Sequence, residues 1–248
     1  MHLQGARIRA SYKKIALILA LVLSSAVSLA FAQKVYQDQQ IRFALWASRD
    51  VYPGYFDQTA HGAQETQPEP ETMYDIPIAR IKEVTPFLLE GMLYGWKFDY
   101  VPYDKTRQIE EYFEFTPVQT LTDADKANVR YEKPWAQDDR LWCWIAFERT
   151  NLMMHQFLSW QVITNPHIKG IGYARLSEGF AGIQTACGEA LKNAVREYER
   201  KLIKNKPKEI FGTVLISEPP LIGIDAGRYM VTLDFFLETD RIVKYETF

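Results

Sequence analysis

The first residues in this chain that could do chemistry are carboxylates. Glu110, Glu111 and Glu114 are close enough in sequence to suggest an acid–base pair, and Asp139 adds a further acid downstream. A hydrolase built on Glu111 and Asp139 would need its two carboxyl groups about 5–9.5 Å apart across a cleft. On a strand, however, Glu111 and Glu114 point to opposite faces, and a solvated edge accounts for them. Gly-x-Ser-x-Gly, the phosphate-binding loop and His-Glu-x-x-His are all absent from the sequence. Gly170-Ile171-Gly172 ahead of a helix has part of a dinucleotide-binding turn, but the third glycine is missing and strands do not alternate with helices around it. No cofactor is expected. No Cys/His spacing matches a metal site, and none is expected. His61 lies in a polar stretch and reads as solvated, while His155, beside Met154 and near Phe157, reads as a core or rim histidine.

Cysteines and tryptophans remain. Cys143 and Cys187 are the 2 cysteines. If the chain is exported they could form one disulfide, closing a loop worth on the order of 3–4 kcal/mol. Both also sit on apolar faces, where two buried thiols would do as well. Trp142, Trp144, Trp96 and Trp160 are the candidate interaction surface. With Trp135 they could form a sugar-stacking platform suited to peptidoglycan, or simply pack a core.

The elements that must position these residues follow from periodicity. Leu176, Phe180, Ile183, Cys187, Ala190 and Ala194 recur at spacings of four and three, and Leu191, Val195, Tyr198 and Leu202 widen the stripe. This predicts one long helix over 177–204, capped by Ser177, with Arg196, Arg200, Lys201 and Lys204 at the end where the helix dipole favours cations. Gly179, Gly182 and Gly188 weaken such a helix by up to about 1 kcal/mol each, so close backbone approach to underlying strands is expected. Arg140–Arg149 is the clearest strand. Leu141, Cys143, Ile145 and Phe147 share one face, and Trp142, Trp144 and Ala146 the other. With both faces apolar, it must be covered on both sides or meet a partner through its tryptophans.

Further strands are predicted at 41–47, 93–100, 112–118, 209–217 and 228–238, with Pro102-Tyr103-Asp104-Lys105 turning a hairpin and residues 222–226 looping. Asp75 is placed to cap a helix that Thr85-Pro86 interrupts and Gly91 stops. Residues 121–128 suggest a short helical turn or loop, and 150–158 fits strand or helix. The fold class is therefore α+β: an antiparallel sheet packed against one long helix, preceded by an N-terminal aromatic β-meander.

Domain organisation starts with export. Arg7, Arg9, Lys13 and Lys14 precede the apolar run Ile15–Ala26, and Ala30-Phe31-Ala32 is a small-x-small cleavage site. Residues 1–32 read as a signal peptide, or as an N-terminal membrane anchor if uncleaved. No cysteine follows the site, so lipid attachment there is not expected. Then come an N-terminal strand region at 33–56, an acidic, Pro-containing linker at 57–75, a helix with the β-meander at 76–158, and a strand–helix–strand–strand unit at 159–248. The whole chain carries a formal charge of −2, and loss of the four basic residues of the leader takes it to about −6. That charge argues against nucleic acid and anionic membranes as partners.

Trp160, Pro166, Gly170, Gly172, Ala174, the helix alanines Ala186, Ala190 and Ala194, and Gly212 form a spaced pattern over 159–235. It resembles the FlgP-type family of flagellar and outer-membrane lipoproteins. The resemblance covers about a third of the chain, implies a structural, oligomer-forming component of the envelope or flagellar apparatus, and transfers no catalytic residue. The absence of a lipobox cysteine departs from that family. The expectation is an exported periplasmic protein, more structural than enzymatic, with envelope or flagellar protein partners, self-association through the Trp142/Trp144 face, and peptidoglycan as the alternative ligand.

Overall fold

The computed structural model describes residues 39–49, 74–202 and 205–245. The signal peptide, His61 and all but the last two residues of the linker lie outside them. In chain order the elements are β1 (Gln40–Ser48), α1 (Asp75–Leu93), β2 (Trp96–Val101), β3 (Tyr112–Pro117), α2 (Asp123–Ala127), β4 (Arg130–Gln137), β5 (Arg140–Glu148), α3 (Asn151–Trp160), β6 (His167–Arg175), α4 (Gly179–Leu202), β7 (Glu209–Ile216), β8 (Leu221–Asp225) and β9 (Arg228–Val243). The α+β class holds, with two sheets and one long helix.

The larger sheet has the order β3-β2-β7-β9-β6, with β8 also on β9 and every pairing antiparallel. β9 organises it. One edge of β9 pairs with β6 from Arg228 to Phe236. The other pairs first with β8, from Arg228 to Thr232, and then with β7, from Phe235 to Val243. Pro219 and Pro220 cannot donate to a ladder, and they divide that second edge between β7 and β8. The loop expected at 222–226 is thus strand β8, closed on β9 by Ala226 and Gly227, both at positive φ.

The aromatic hairpin of β2 and β3 forms as expected, Trp96 facing Pro117 and Val101 facing Tyr112. It is not a separate meander. β2 continues into the C-terminal strands through β7, with Phe98 opposite Gly212, and the described residues from Ile41 onward form one compact unit.

α4 lies against β6 with the predicted face buried, including Ile183, Ala186, Cys187, Ala190, Leu191, Ala194 and Val195. The closest approach comes from the strand glycines rather than those of the helix. A Cβ on Gly170 would stand 1.9 Å from the Ala190 carbonyl oxygen, and one on Gly172 would stand 2.0 Å from that of Ala186. β6 ends the sheet, and α4 closes its edge: Glu189 accepts from the Tyr173 amide at 3.0 Å and Asn193 donates to the Ile171 carbonyl at 2.9 Å. An edge satisfied this way is no template for another strand. Ser177 lies in a 3₁₀ turn at Leu176–Glu178 and does not cap α4, which begins at Gly179.

Other local expectations are corrected by packing. α1 runs unbroken through Pro86, with Ile81, Val84, Phe87, Leu88, Leu89 and Met92 buried on both sides of it. That burial offsets the roughly 3 kcal/mol cost of an internal proline. Asp75 is the first residue of α1, while Tyr74 holds the cap position without a side-chain bond. Gly91 sits inside the helix because Trp96 and Ile216 occupy the space a Cβ would fill, 2.7 Å away. Gly95, at φ +83°, makes the turn into β2. Residues 151–160 are helical, capped by the Thr150 hydroxyl, which accepts from the Met153 amide.

On β2, Asp99 faces Glu114 directly. Burial, then Glu209 and Glu114, push the Asp99 carboxyl above its ordinary range. Its folded pKa lies above the unfolded value, so stability falls as pH rises from about 4 through the folded pKa. With solvent screening taken into account, Asp99→Asn should stabilise the fold by at most about 0.5 kcal/mol at pH 7 and show no gain near pH 4. Urea denaturation at the two pH values checks this, and an equal effect at both would contradict the charge assignment.

Candidate interaction surface

β5 is the middle strand of the smaller sheet, between β1 and β4. Its period of two buries Leu141, Cys143, Ile145 and Phe147 and leaves Trp142 and Trp144 half-buried on the other side. β1 places Arg42 and Trp46 on one face by the same period. β4 contributes Trp135 through a bulge between Glu132 and Trp135, where Lys133 takes φ +47°. The bulge sets Trp135 opposite Trp142.

These side chains form a continuous row. Arg140 lies over Trp46 at 4.2 Å, Trp46 meets Trp142 at 6.2 Å, Trp142 stacks on Trp135 at 5.7 Å and 12°, Trp135 meets Trp144 at 6.1 Å, and Arg42 lies over Trp144 at 4.4 Å. Each contact of this kind is worth about 0.5–1.5 kcal/mol. The Trp46 indole N–H donates to the Ile222 carbonyl at 2.7 Å, which ties one end of the row to β8. Trp135 and Trp142 are stacked face to face, while Trp46–Trp142 and Trp135–Trp144 are tilted at 46° and 37°, and guanidinium groups cover Trp46 and Trp144.

Beside the row, a groove of 470 Å³ runs between the start of α1 and strands β4 and β5. Ile78, Ile81, Tyr131, Pro134, Trp135 and Leu141 give it apolar walls, and Ile78 and Tyr131 are 40% and 38% exposed. The free edge of β4 carries Pro134 and the bulge, which disfavour strand addition.

The sequence-predicted site residues divide. Trp142 and Trp144 stand in the row. Trp96 does not: it is 0% exposed, stacked on Phe87 at 4.9 Å and against Phe115 at 5.1 Å. Trp160 ends α3 and packs against a small cluster of Phe157, Leu215 and Phe236. The disulfide considered for Cys143 and Cys187 is not formed, and both are buried free thiols. Cys143 lies on β5, with its thiol 3.5 Å from the Glu132 carbonyl, and Cys187 is on the α4 face turned to the larger sheet. Burial pushes both thiols above their ordinary pKa. Native protein should therefore resist alkylation at Cys187 until denaturant is added, and dithiothreitol should leave its melting temperature unchanged; a mass loss of two hydrogens or a lowered melting temperature on reduction would establish a bridge.

The hydrolase pair is not assembled. Glu111 accepts from the Tyr100 hydroxyl at 3.0 Å and pairs with Lys192 at 3.3 Å and Arg196 at 3.7 Å beside the larger sheet. Asp139 sits in the β4–β5 turn of the smaller sheet, next to Arg140 at 3.6 Å. His155 is exposed on α3. Among the described residues, no group of three or more His, Cys, Asp or Glu is placed to hold a metal, and no helix is long and apolar enough to cross a membrane. Trp46, Arg42 and Arg140 were missed as site residues. The signal was present, since Arg42 and Trp46, and likewise Arg140, Trp142 and Trp144, share a face by alternation.

A family model matches residues 28–245. An uncharacterized protein of Treponema pallidum (strain Nichols) is 27% identical over 212 residues, spanning 84% of this chain and 83% of the relative. No solved structure matches.

Proposed function

We propose that the chain, which belongs to the family whose model spans residues 28–245, is an exported structural or interaction protein of the cell envelope, released into the periplasm by cleavage near Ala32 and built into an envelope or flagellar assembly. The observation that carries this reading is the half-buried Trp135/Trp142/Trp144 row beside an apolar groove, a rigid aromatic surface of the kind that anchors protein interfaces. The flagellar part rests on the FlgP-type resemblance over 159–235. Its matching residues Gly170, Gly172, Ala186 and Ala190 lie at the tightest helix–strand approach. The test is crosslinking in intact cells, followed by affinity purification of the tagged protein and mass spectrometry. Recovery of flagellar or envelope-structure proteins, with crosslinks near Trp142, supports the proposal. Recovery of the protein alone, or with peptidoglycan fragments only, sinks it.

A further inference from the structure

Glu199, near the C-terminal end of α4, is 4% exposed. Its Oε1 accepts from the Thr239 hydroxyl at 3.2 Å, and its Oε2 is buried with no hydrogen-bond partner among the described residues. A carboxylate taken out of water and left half-satisfied is costly, and folds remove such groups unless something uses them. Here the carboxyl lines a 440 Å³ groove between the α3–β6 loop, the last turns of α4 and β9. Burial pushes its pKa up, the Thr239 bond drawing it the other way.

We propose that this groove is a binding site for a basic aliphatic group, an alkylammonium or alkylguanidinium, with Glu199 as its counter-ion. Three features set the sign and shape of the ligand. The C-terminal end of the 24-residue α4, the negative end of the helix dipole, borders the groove. Glu238 adds an exposed carboxylate to its lining. Pro166, Tyr198 and Leu202 supply apolar walls that match the methylene stem of a basic side chain, whose charged head pairs with the Glu199 carboxyl as the groove opens onto the buried Oε2. Glu199 and Glu238 disfavour an anion in the groove even with Arg200 and Lys201 in the same last turn of α4, and two carboxylates with no third ligand among the described residues make a poor cage for a metal ion. The same chemistry belongs to a Lys or Arg side chain of a polypeptide and to a free diamine. The loop leading into the groove exposes Val162 and Ile163, at 48% and 102%, apolar surface that a polypeptide would cover and a diamine would not. The proposal stands apart from the tryptophan row and does not depend on it.

The test is titration of the purified protein, by calorimetry and NMR, with Nα-acetyl-lysine N-methylamide, Nα-acetyl-arginine N-methylamide and cadaverine, using the norleucine amide as the uncharged isostere. The expected result is saturable binding of a basic probe that moves the amides of Tyr198, Leu202 and Thr239, weakened at least about tenfold by Glu199→Gln, with no saturation by the norleucine amide. Glu199→Gln should melt no lower than the unaltered protein, which separates lost binding from lost folding. If that variant does not fold, the carboxyl ¹³C shift of Glu199 in the unaltered protein decides: its titration midpoint should fall when a basic probe is bound. Tighter binding of the blocked amino acids points to a polypeptide, and tighter binding of cadaverine to a free amine, either supporting the site. No saturable binding, equal binding by Glu199→Gln or by the norleucine amide, or an unmoved Glu199 midpoint overturns it.

Discussion

Gly170→Ala and Gly172→Ala are each expected to unseat α4 from the larger sheet and to cost about 3 kcal/mol or more. The new methyl carbon would meet backbone in both cases: the Ala190 carbonyl oxygen at 1.9 Å from position 170, and the Ala186 carbonyl oxygen at 2.0 Å with the Ala190 nitrogen at 2.4 Å from position 172. No rotamer relieves a clash with a carbonyl of a hydrogen-bonded helix. Relief requires α4 to lift from β6 by on the order of 1.5 Å, which is enough to forfeit much of the packing energy of the alanine face. The lift would also stretch the bonds from Tyr173 to Glu189 and from Asn193 to Ile171, re-exposing the edge of β6. Both substitutions demand the same displacement, so the double variant should cost less than the sum of the singles. Gly223→Ala is the control, since a Cβ there meets only the Met230 methyl at 3.8 Å. Urea unfolding followed by circular dichroism reads all four variants. A Gly170→Ala protein within about 0.5 kcal/mol of the original would show that α4 is not seated on β6 in this way.

Trp96→Ala should be as damaging, by about 3–5 kcal/mol, because it empties the centre of the aromatic core. Phe87, Phe115 and Phe235 surround the ring at 4.9, 5.1 and 6.3 Å, and it is completely buried. Trp96→Phe should cost far less. The indole N–H of Trp96 is buried without a partner among the described residues, so exchanging it for a hydrocarbon removes an unsatisfied donor along with some volume. Trp144→Ala gives the contrast: Trp144 is half-buried and touches Trp135 and the Arg42 guanidinium. It should lower stability by about 1 kcal/mol and, under the proposed function, lower crosslinking to partners, whereas Trp96→Phe should leave crosslinking unchanged. Tryptophan fluorescence and urea midpoints measure the first effect, and crosslink yield the second. A Trp96→Ala protein as stable as Trp144→Ala would remove Trp96 from the core.

Alternation alone places Arg140, Trp142 and Trp144 on one face of β5 and Leu141, Cys143, Ile145 and Phe147 on the other, and the spacing of Ile183, Cys187, Ala190 and Ala194 marks the buried face of α4. Those features are legible because period is a local property: the pleat of a strand and the turn of a helix decide which neighbours share a side. The hairpin of β2 and β3, the α2 turn behind Thr122 and the antiparallel layer under a long helix were legible for the same reason. What covers each face is not local. The same alternation holds for Tyr94, Trp96, Phe98 and Tyr100, yet Trp96 is core and Trp144 surface because β2 joins β7 under α1 while β5 lies in a second, smaller sheet. Pro86 and Gly91 carry local signals to end a helix, and the packing of α1 against Trp96 and Ile216 overrides both. Whether Cys143 and Cys187 meet depends on where β5 and α4 lie in space, and there both thiols are buried and free. Glu199 reads in the sequence as one more helix carboxylate. Only the fold of β9 and the α3–β6 loop around the end of α4 buries it and leaves one oxygen without a partner, because desolvation depends on atoms brought close in space from far along the chain.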